Sequence, residues 1–243
     1  MTRRASYPFA AVLVSTLLAA CGGSGPQVSP YSFDLHEAWV DQATGTAAYS
    51  FTMSGKIDLG DCIITVSSEP GSGIFNVGAL WPSTFETING FQKLSVADIS
   101  MILSGCGETG IVAPFNYRYT DYFDSNYWYL GRINQSDPDF LPDCPYNVAS
   151  NQAPLPTAAK VGDTGQLFTL QTWDSPDKNY SCDQMTVSYA VAADTKDSVL
   201  FKIIYSEAGA TETMTFRVTT SGETTLVSIR DSADGLALTM TFF

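Results

Sequence analysis

Residues 184–220 read QMTVSYAVAADTKDSVLFKIIYSEAGATETMTFRVTT, and apolar and polar side chains alternate along most of this stretch. Such alternation is typical of β-strands that bury one face and expose the other. The apolar face carries Met185, Val187, Tyr189, Val191, Val199, Phe201, Ile203, Tyr205, Met214, Phe216 and Val218. Because the connecting segments ADTKD and EAGA are short, neighbouring strands must run antiparallel.

The same pattern extends beyond this stretch. It predicts strands near residues 165–174, 224–230 and 236–242, and N-terminal strands near 47–53, 62–66, 94–104 and 110–118. Residues 33–43 place Leu35, Ala38 and Trp39 at helical spacing, which favours a short helix, although a strand fits the same residues. The sequence thus predicts a mainly β fold: an antiparallel meander or curled sheet, built as a sandwich or half-barrel, with one short N-terminal helix.

Residues 119–150 interrupt the alternation with aromatic residues, aspartates and several prolines. Because proline limits regular structure, this segment is either a long loop or the joint between two lobes, 31–118 and 151–243, of one β-rich domain. Its side chains form a candidate ligand or ion patch: Asp121, Asp124, Tyr127, Trp128, Asp137 and Asp139. The competing interpretation is that the aspartates open turns and the aromatic residues pack in the core.

The N-terminus combines a basic start, an uncharged apolar run and a cysteine. Arg3 and Arg4 precede residues 9–19, which are too few for a permanent membrane span but suit the core of a signal peptide. The sequence Leu18-Ala19-Ala20-Cys21 resembles the lipobox of bacterial lipoproteins. The resemblance implies that residues 1–20 are a removed signal peptide and that Cys21 is acylated, for example with palmitate. Because Gly22, and not an aspartate, follows the cysteine, the resemblance also implies attachment to the outer membrane, with the domain facing the periplasm.

Residues 21–30 are small and polar, and we interpret them as a lipidated tether. Four cysteines remain in the body of the chain: Cys62, Cys106, Cys144 and Cys182. In an oxidising compartment an even number favours two disulfides. Three pairings are possible, and we favour Cys62 with Cys106 and Cys144 with Cys182, because each bond then joins residues of the same half.

The net charge and the absence of common catalytic and phosphate-binding motifs limit the functions that the sequence supports. The net charge of −13 argues against binding nucleic acid. With the single histidine, His36, and no phosphate-binding glycine motif, the sequence predicts no catalytic residues, no cofactor and no metal site.

Three functional hypotheses remain. The first is a non-enzymatic structural or binding role in the cell envelope, with an envelope protein as partner. The second is a carrier or acceptor of an apolar ligand held in a curled half-barrel. The third is a carbohydrate-active hydrolase that uses the loop aspartates as its pair of carboxyl groups. The oligomeric state is left open.

Overall fold

The computed structural model describes residues 25–135 and 144–243. Cys21, Asp137 and Asp139 lie outside these described residues. The elements are α1 (Leu35–Thr44), β1 (Ala47–Asp58), β2 (Ile63–Ser67), β3 (Gly73–Phe85), β4 (Ile88–Gly105), β5 (Glu108–Asp124), β6 (Tyr129–Asn134), β7 (Tyr146–Ser150), β8 (Thr164–Trp173), β9 (Ser181–Thr195), β10 (Ser198–Glu207), β11 (Ala210–Thr219), β12 (Thr224–Ala233) and β13 (Leu236–Phe242).

The strands form one antiparallel sheet that curls into a ring without being a regular barrel. From β4 to β13 each strand pairs with the next one in the chain. The ring closes where β13 pairs with β1, with Met53 opposite Met240 and Phe51 opposite Phe242. The predicted mainly antiparallel β fold with one short helix is therefore confirmed.

Strands from residues 31–118 and from residues 151–243 lie in the same ring. The intervening segment 119–150, expected to be a loop or a joint, contributes the end of β5 and the strands β6 and β7. The prolines expected to prevent strands fall at positions 138, 142 and 145, between the end of β6 and the start of β7. The residues before and after them are therefore free to pair.

The interior of the ring holds the hydrophobic core. The apolar face predicted from residues 184–220 points inward, and all of its members lie in the core or pack against it. Phe201 and Phe216 are almost completely buried there, as are Phe51 and Met53 from β1. The cover that a one-faced sheet needs thus comes from the opposite wall of the same ring.

Helix α1 lies across one end of the ring, here called the helix end. Asp34 accepts a hydrogen bond from the Glu37 amide at 2.8 Å and caps the N-terminus of the helix. Trp39 contacts Phe123 and Phe168 edge-on and donates its indole N–H to the Tyr127 carbonyl at 2.9 Å. Among the described residues, no helix has the length and hydrophobicity needed to cross a membrane.

The opposite end of the ring, here called the mouth end, is formed by the turns at 59–62, 106–107, 208–209 and 234–235. Both disulfides lie at this end. Cys62 is joined to Cys106, with Cα atoms 5.4 Å apart, and Cys144 to Cys182, with Cα atoms 6.3 Å apart. This is the pairing that the sequence favoured, and it links neighbouring parts of the rim covalently.

The N-terminal segment is attached at the helix end. The Gln27 amide donates to the Asp194 carbonyl at 3.1 Å, and the Ser29 hydroxyl donates to the Lys196 carbonyl at 2.7 Å. Both residues belong to the segment interpreted as a tether, yet Ser29 is buried. The stretch between Cys21 and its first contact with the domain is therefore shorter than ten residues.

Candidate functional site

A cavity of about 520 Å³ lies inside the ring at the mouth end. Its lining comes from β5 to β13, so most of the ring contributes to it. The lining residues are Tyr117, Arg132, Asn134, Asn147, Leu170, Met185, Tyr205, Glu207, Ala210, Thr211, Glu212, Asp231, Ser232, Ala233 and Leu236. Glu207 is exposed, so the cavity communicates with solvent. Its volume falls in the range of small-ligand pockets.

The inner wall of the cavity contains a buried ion pair. The Arg132 Nε donates to Asp121 Oδ1 at 2.8 Å, and both side chains are largely excluded from solvent. The Tyr129 hydroxyl donates to the same oxygen at 2.8 Å. The Arg132 guanidinium also lies over the Tyr119 ring, 3.8 Å from its centroid. Arg132 is thus held by a carboxylate and an aromatic face.

Several groups act on the charge of Arg132. Burial is the largest single effect and lowers the pKa of Arg132, but the Asp121 carboxylate together with Tyr129, Tyr119 and Tyr205 outweighs it and holds the pKa well above its usual value. Burial, followed by the same carboxylate, raises the pKa of the Tyr129 hydroxyl. Arg132 therefore stays charged and Tyr129 stays a hydrogen-bond donor throughout the physiological pH range.

Two further carboxyl groups line the cavity on adjacent strands. Glu212 of β11 lies directly opposite Asp231 of β12, and we call these two residues the acid pair. Burial raises the pKa of Glu212, although the Arg132 guanidinium opposes the shift. Burial and then the Glu212 carboxyl raise the pKa of Asp231 to about 7. Like charges directly across two strands are destabilising, so the acid pair costs the fold stability when both groups are ionised.

The acid pair has no cation of its own within the described parts of the chain. The ion pairs found there join Arg132 to Asp121, Lys178 to Glu86 and Arg217 to Asp194. The remaining cavity wall includes the apolar side chains of Leu170, Met185 and Leu236. The cavity lining thus combines apolar and charged side chains, and it can hold a molecule that has both characters.

The predicted ligand patch is divided between different parts of the structure. Asp121 faces the ring interior in the ion pair with Arg132. Asp124 is the last residue of β5 and accepts hydrogen bonds from the backbone amides of Asn126 and Trp128 at 2.8 and 2.9 Å. The structure therefore holds these two aspartates in separate interactions. Asp137 and Asp139 lie outside the described residues.

Tyr127 and Trp128 line a second, much smaller space at the helix end, together with His36, Trp39 and Gln152. Its volume is about 20 Å³, which is enough for a single water molecule. The Tyr127 ring stacks on Phe91 with centroids 5.8 Å apart. Tyr127 thus packs against its neighbours, as the competing interpretation of these aromatic residues expected.

No group of three or more His, Cys, Asp or Glu side chains is arranged to hold a metal ion in residues 25–135 and 144–243. His36 lines only the small space at the helix end. The only strongly perturbed carboxyl groups in the described structure that face a large cavity are Glu212 and Asp231. The main cavity is therefore the best candidate for the functional site.

Met185 and Tyr205 were predicted on the apolar face, but the sequence alone did not single out Arg132, Glu212 or Asp231 as site residues. Glu212 has the same strand parity as Met214 and Phe216, so a charged residue on an apolar face was a usable signal. Arg132 gave no such signal. The β5–β6 pairing shifts register near Tyr122 and Phe123, and this bulge breaks the parity of β6.

Comparison with known proteins gives no further guidance about this site. No family model matches the chain, and searches of curated proteins and of solved structures found no significant match.

Proposed function

We propose that this protein is a lipid-anchored lipoprotein of the bacterial cell envelope whose β-ring domain binds a small ligand in the mouth-end cavity. The lipobox-like sequence ending at Cys21 supports the anchor and the periplasm-facing location. The observation that carries the binding role is the cavity of about 520 Å³, which combines apolar walls with Arg132 and the acid pair.

The polar groups of the cavity favour a ligand over a purely structural role. A chain that only had to fill its interior would be more stable with apolar side chains in place of a buried ion pair and two facing carboxyl groups. Local arrangements that cost stability are expected at functional sites. An envelope protein remains a further partner under the same proposal, because ligand binding inside the ring leaves the outer surface free.

A carrier of a purely apolar ligand is the second candidate. Leu170, Met185 and Leu236 favour it, because they add apolar surface to the cavity lining. The charged lining residues oppose it, since an apolar ligand would displace water from Arg132, Glu212 and Asp231 without replacing its hydrogen bonds. A ligand with both an apolar body and a polar group fits the whole lining better.

The hydrolase hypothesis is not carried forward. It relied on two of the aspartates Asp121, Asp124, Asp137 and Asp139 facing each other across an open cleft, and Asp137 and Asp139 lie outside the described residues. Asp121 is bound to Arg132 inside the ring, whereas Asp124 stabilises the β5–β6 turn.

The binding proposal is tested by filling the cavity. Residues 25–243, exported so that both disulfides form, are titrated with 2-naphthylmethanol and binding is followed by saturation-transfer NMR. We expect one site per chain, and Ala210→Trp should abolish it because Ala210 lines the cavity. Ala208→Trp is the matched control, because Ala208 is exposed in the same hairpin turn and is not part of the lining. Equal binding by both variants would refute a site in the cavity.

A further inference from the structure

We infer that the ligand of the mouth-end cavity carries a cationic nitrogen, an ammonium or guanidinium group on an apolar body, which binds between Glu212 and Asp231. This inference rests on the proposed ligand-binding function and specifies the chemical class of the ligand. It follows from four features of the cavity: the charges on its lining, the interactions of Arg132, the aromatic rings and the apolar lining residues.

The first feature is the charge that remains once the existing ion pair is counted. Asp121 and Arg132 neutralise each other at 2.8 Å. Glu212 and Asp231 face each other across β11 and β12 and make no ion pair within the described residues. Glu207 at the rim adds another carboxylate. The cavity is therefore acidic, and a bound cation would remove the repulsion within the acid pair.

The second feature, the engaged state of Arg132, argues against anionic ligands. Arg132 is the one basic side chain on the cavity lining. Its guanidinium is already engaged by Asp121 and lies over the Tyr119 ring. A ligand carboxylate or phosphate would have to compete with Asp121 while approaching Glu212, Asp231 and Glu207. Anionic ligands are therefore expected to bind weakly.

The third and fourth features fit an organic cation better than a bare metal ion. The rings of Tyr117 and Tyr205 line the cavity near the acid pair, and aromatic faces attract ammonium and guanidinium groups. Leu170, Met185 and Leu236 would contact an apolar body. A cavity of about 520 Å³ is also far larger than a metal ion requires.

The experiment uses three probes that share one apolar body: 2-naphthylmethylamine, 2-naphthylmethanol and 2-naphthoate. Affinities for the exported 25–243 domain are measured by isothermal titration calorimetry at pH 7. We expect the amine to bind at least tenfold more tightly than the alcohol, and the naphthoate to bind more weakly than the alcohol. Because the amine should drive a proton off the acid pair, its binding heat should also depend on the ionisation enthalpy of the buffer.

Charge-removing variants assign this preference to the acid pair. Glu212→Gln and Asp231→Asn should each reduce the amine's advantage over the alcohol at least fivefold and leave alcohol binding within about twofold. They should also remove the proton release. Asp234→Asn is the matched control, because Asp234 is exposed in the neighbouring turn and does not line the cavity. This variant should change neither the affinity advantage of the amine over the alcohol nor the proton release on amine binding.

The outcomes separate the inference from the function on which it rests. Equal binding of amine and alcohol, or a preference for naphthoate, would overturn the cationic ligand while leaving a binding site in place. Failure of all three probes to bind at millimolar concentration would overturn the proposed cavity site itself. An amine preference that survives in both Glu212→Gln and Asp231→Asn would place the cation elsewhere and contradict the inference.

Discussion

Arg132 shows how strongly one buried charge depends on its partner. Its side chain is largely hidden from solvent and is held by Asp121 and by the Tyr119 ring. Removing one member of a buried pair leaves the other charge uncompensated, which typically costs about 3–5 kcal/mol. We therefore expect Arg132→Met to destabilise the domain by about that amount in urea unfolding.

A matched variant at Arg217 shows whether the loss of stability is specific to the buried Arg132 or follows from removing an arginine anywhere. Arg217→Met breaks the pair with Asp194, in which the Arg217 side chain is 47% exposed. Exposed pairs contribute about 0–1 kcal/mol, so this change should be nearly neutral. Similar costs for the two variants would mean that the Arg132 pair is not buried in solution.

Asp231 links stability to pH. Because its pKa is raised from 3.8 to about 7, the folded protein keeps a proton that the unfolded chain releases between these values. The stability that this proton provides is complete below pH 4 and is lost as the pH rises through 7. Its surroundings contain the titratable or charged groups of Glu207, Glu212, Arg132, Asp121, Tyr117 and Tyr205.

Asp231→Asn keeps the side chain neutral at every pH. It should match the wild-type free energy of unfolding near pH 4 and exceed it near pH 8 by about 4 kcal/mol, because each unit of pKa shift corresponds to about 1.4 kcal/mol. Urea unfolding at a series of pH values measures the difference, with Asp234→Asn as the control. A difference between Asp231→Asn and wild type that does not change between pH 4 and pH 8 would contradict the raised pKa.

At the level of elements, the two disulfides brace the mouth end. Cys144 and Cys182 lie 38 residues apart in the chain, and their bond joins the segment before β7 to the start of β9, two strands that β8 separates in the sheet. Removing a disulfide of this loop size typically costs about 2–4 kcal/mol. The double variant Cys144→Ser, Cys182→Ser should lose stability by this amount.

The same variant should loosen the rim locally. Hydrogen exchange is expected to accelerate in β7 and at the start of β9, while the amides of β1 and β13 stay protected. If the loss of protection instead spreads evenly around the ring, the bond does not act as a brace of the mouth end.

Elements with regular alternation could be predicted from the sequence, and interrupted ones could not. β9, β10 and β11 follow the period of two along most of the stretch 184–218 and were predicted close to their observed positions, although β9 continues to Thr195, into the segment expected to be a connection. β3 was missed because its pairing with β4 shifts register between Val77 and Leu80, and because Gly78 and Pro82 lower its strand propensity. β6 was missed because the neighbouring bulge hides its parity.

At the level of the whole molecule, closure of the ring could not be predicted. It depends on pairing between β1 and β13, which lie at opposite ends of the domain sequence. Alternation fixes which face of a strand is buried but carries no information about a distant partner. The cavity exists only because this closure brings β5 to β13 around one interior, so the site residues could not be assembled from the sequence.

The attachment of Gln27 and Ser29 predicts how an anchored domain is oriented. Gln27 follows Cys21 by six positions in the chain, a reach of at most about 22 Å. With Cys21 acylated as proposed, the helix end lies near the membrane and the mouth faces away from it. The two ends of a ten-residue strand such as β10 are about 30 Å apart, so the orientation can be measured.

The measurement is energy transfer from a fluorophore on the lipidated protein to labelled lipid head groups in vesicles. Ser221→Cys places the fluorophore in an exposed turn at the helix end, and Ala208→Cys places it at the mouth end. Transfer should be clearly stronger from position 221. Stronger transfer from position 208 would show that the mouth faces the membrane.

The most direct test of the binding site is a crystal structure of the exported 25–243 domain grown with 2-naphthylmethanol. We expect the ring to contain an open cavity of about 520 Å³ at the mouth end, with the naphthyl group against Leu170 and Met185 and the hydroxyl toward Arg132 or the acid pair. A ring interior packed solid by its own side chains, or a probe bound only on the outer surface, would contradict the proposed site.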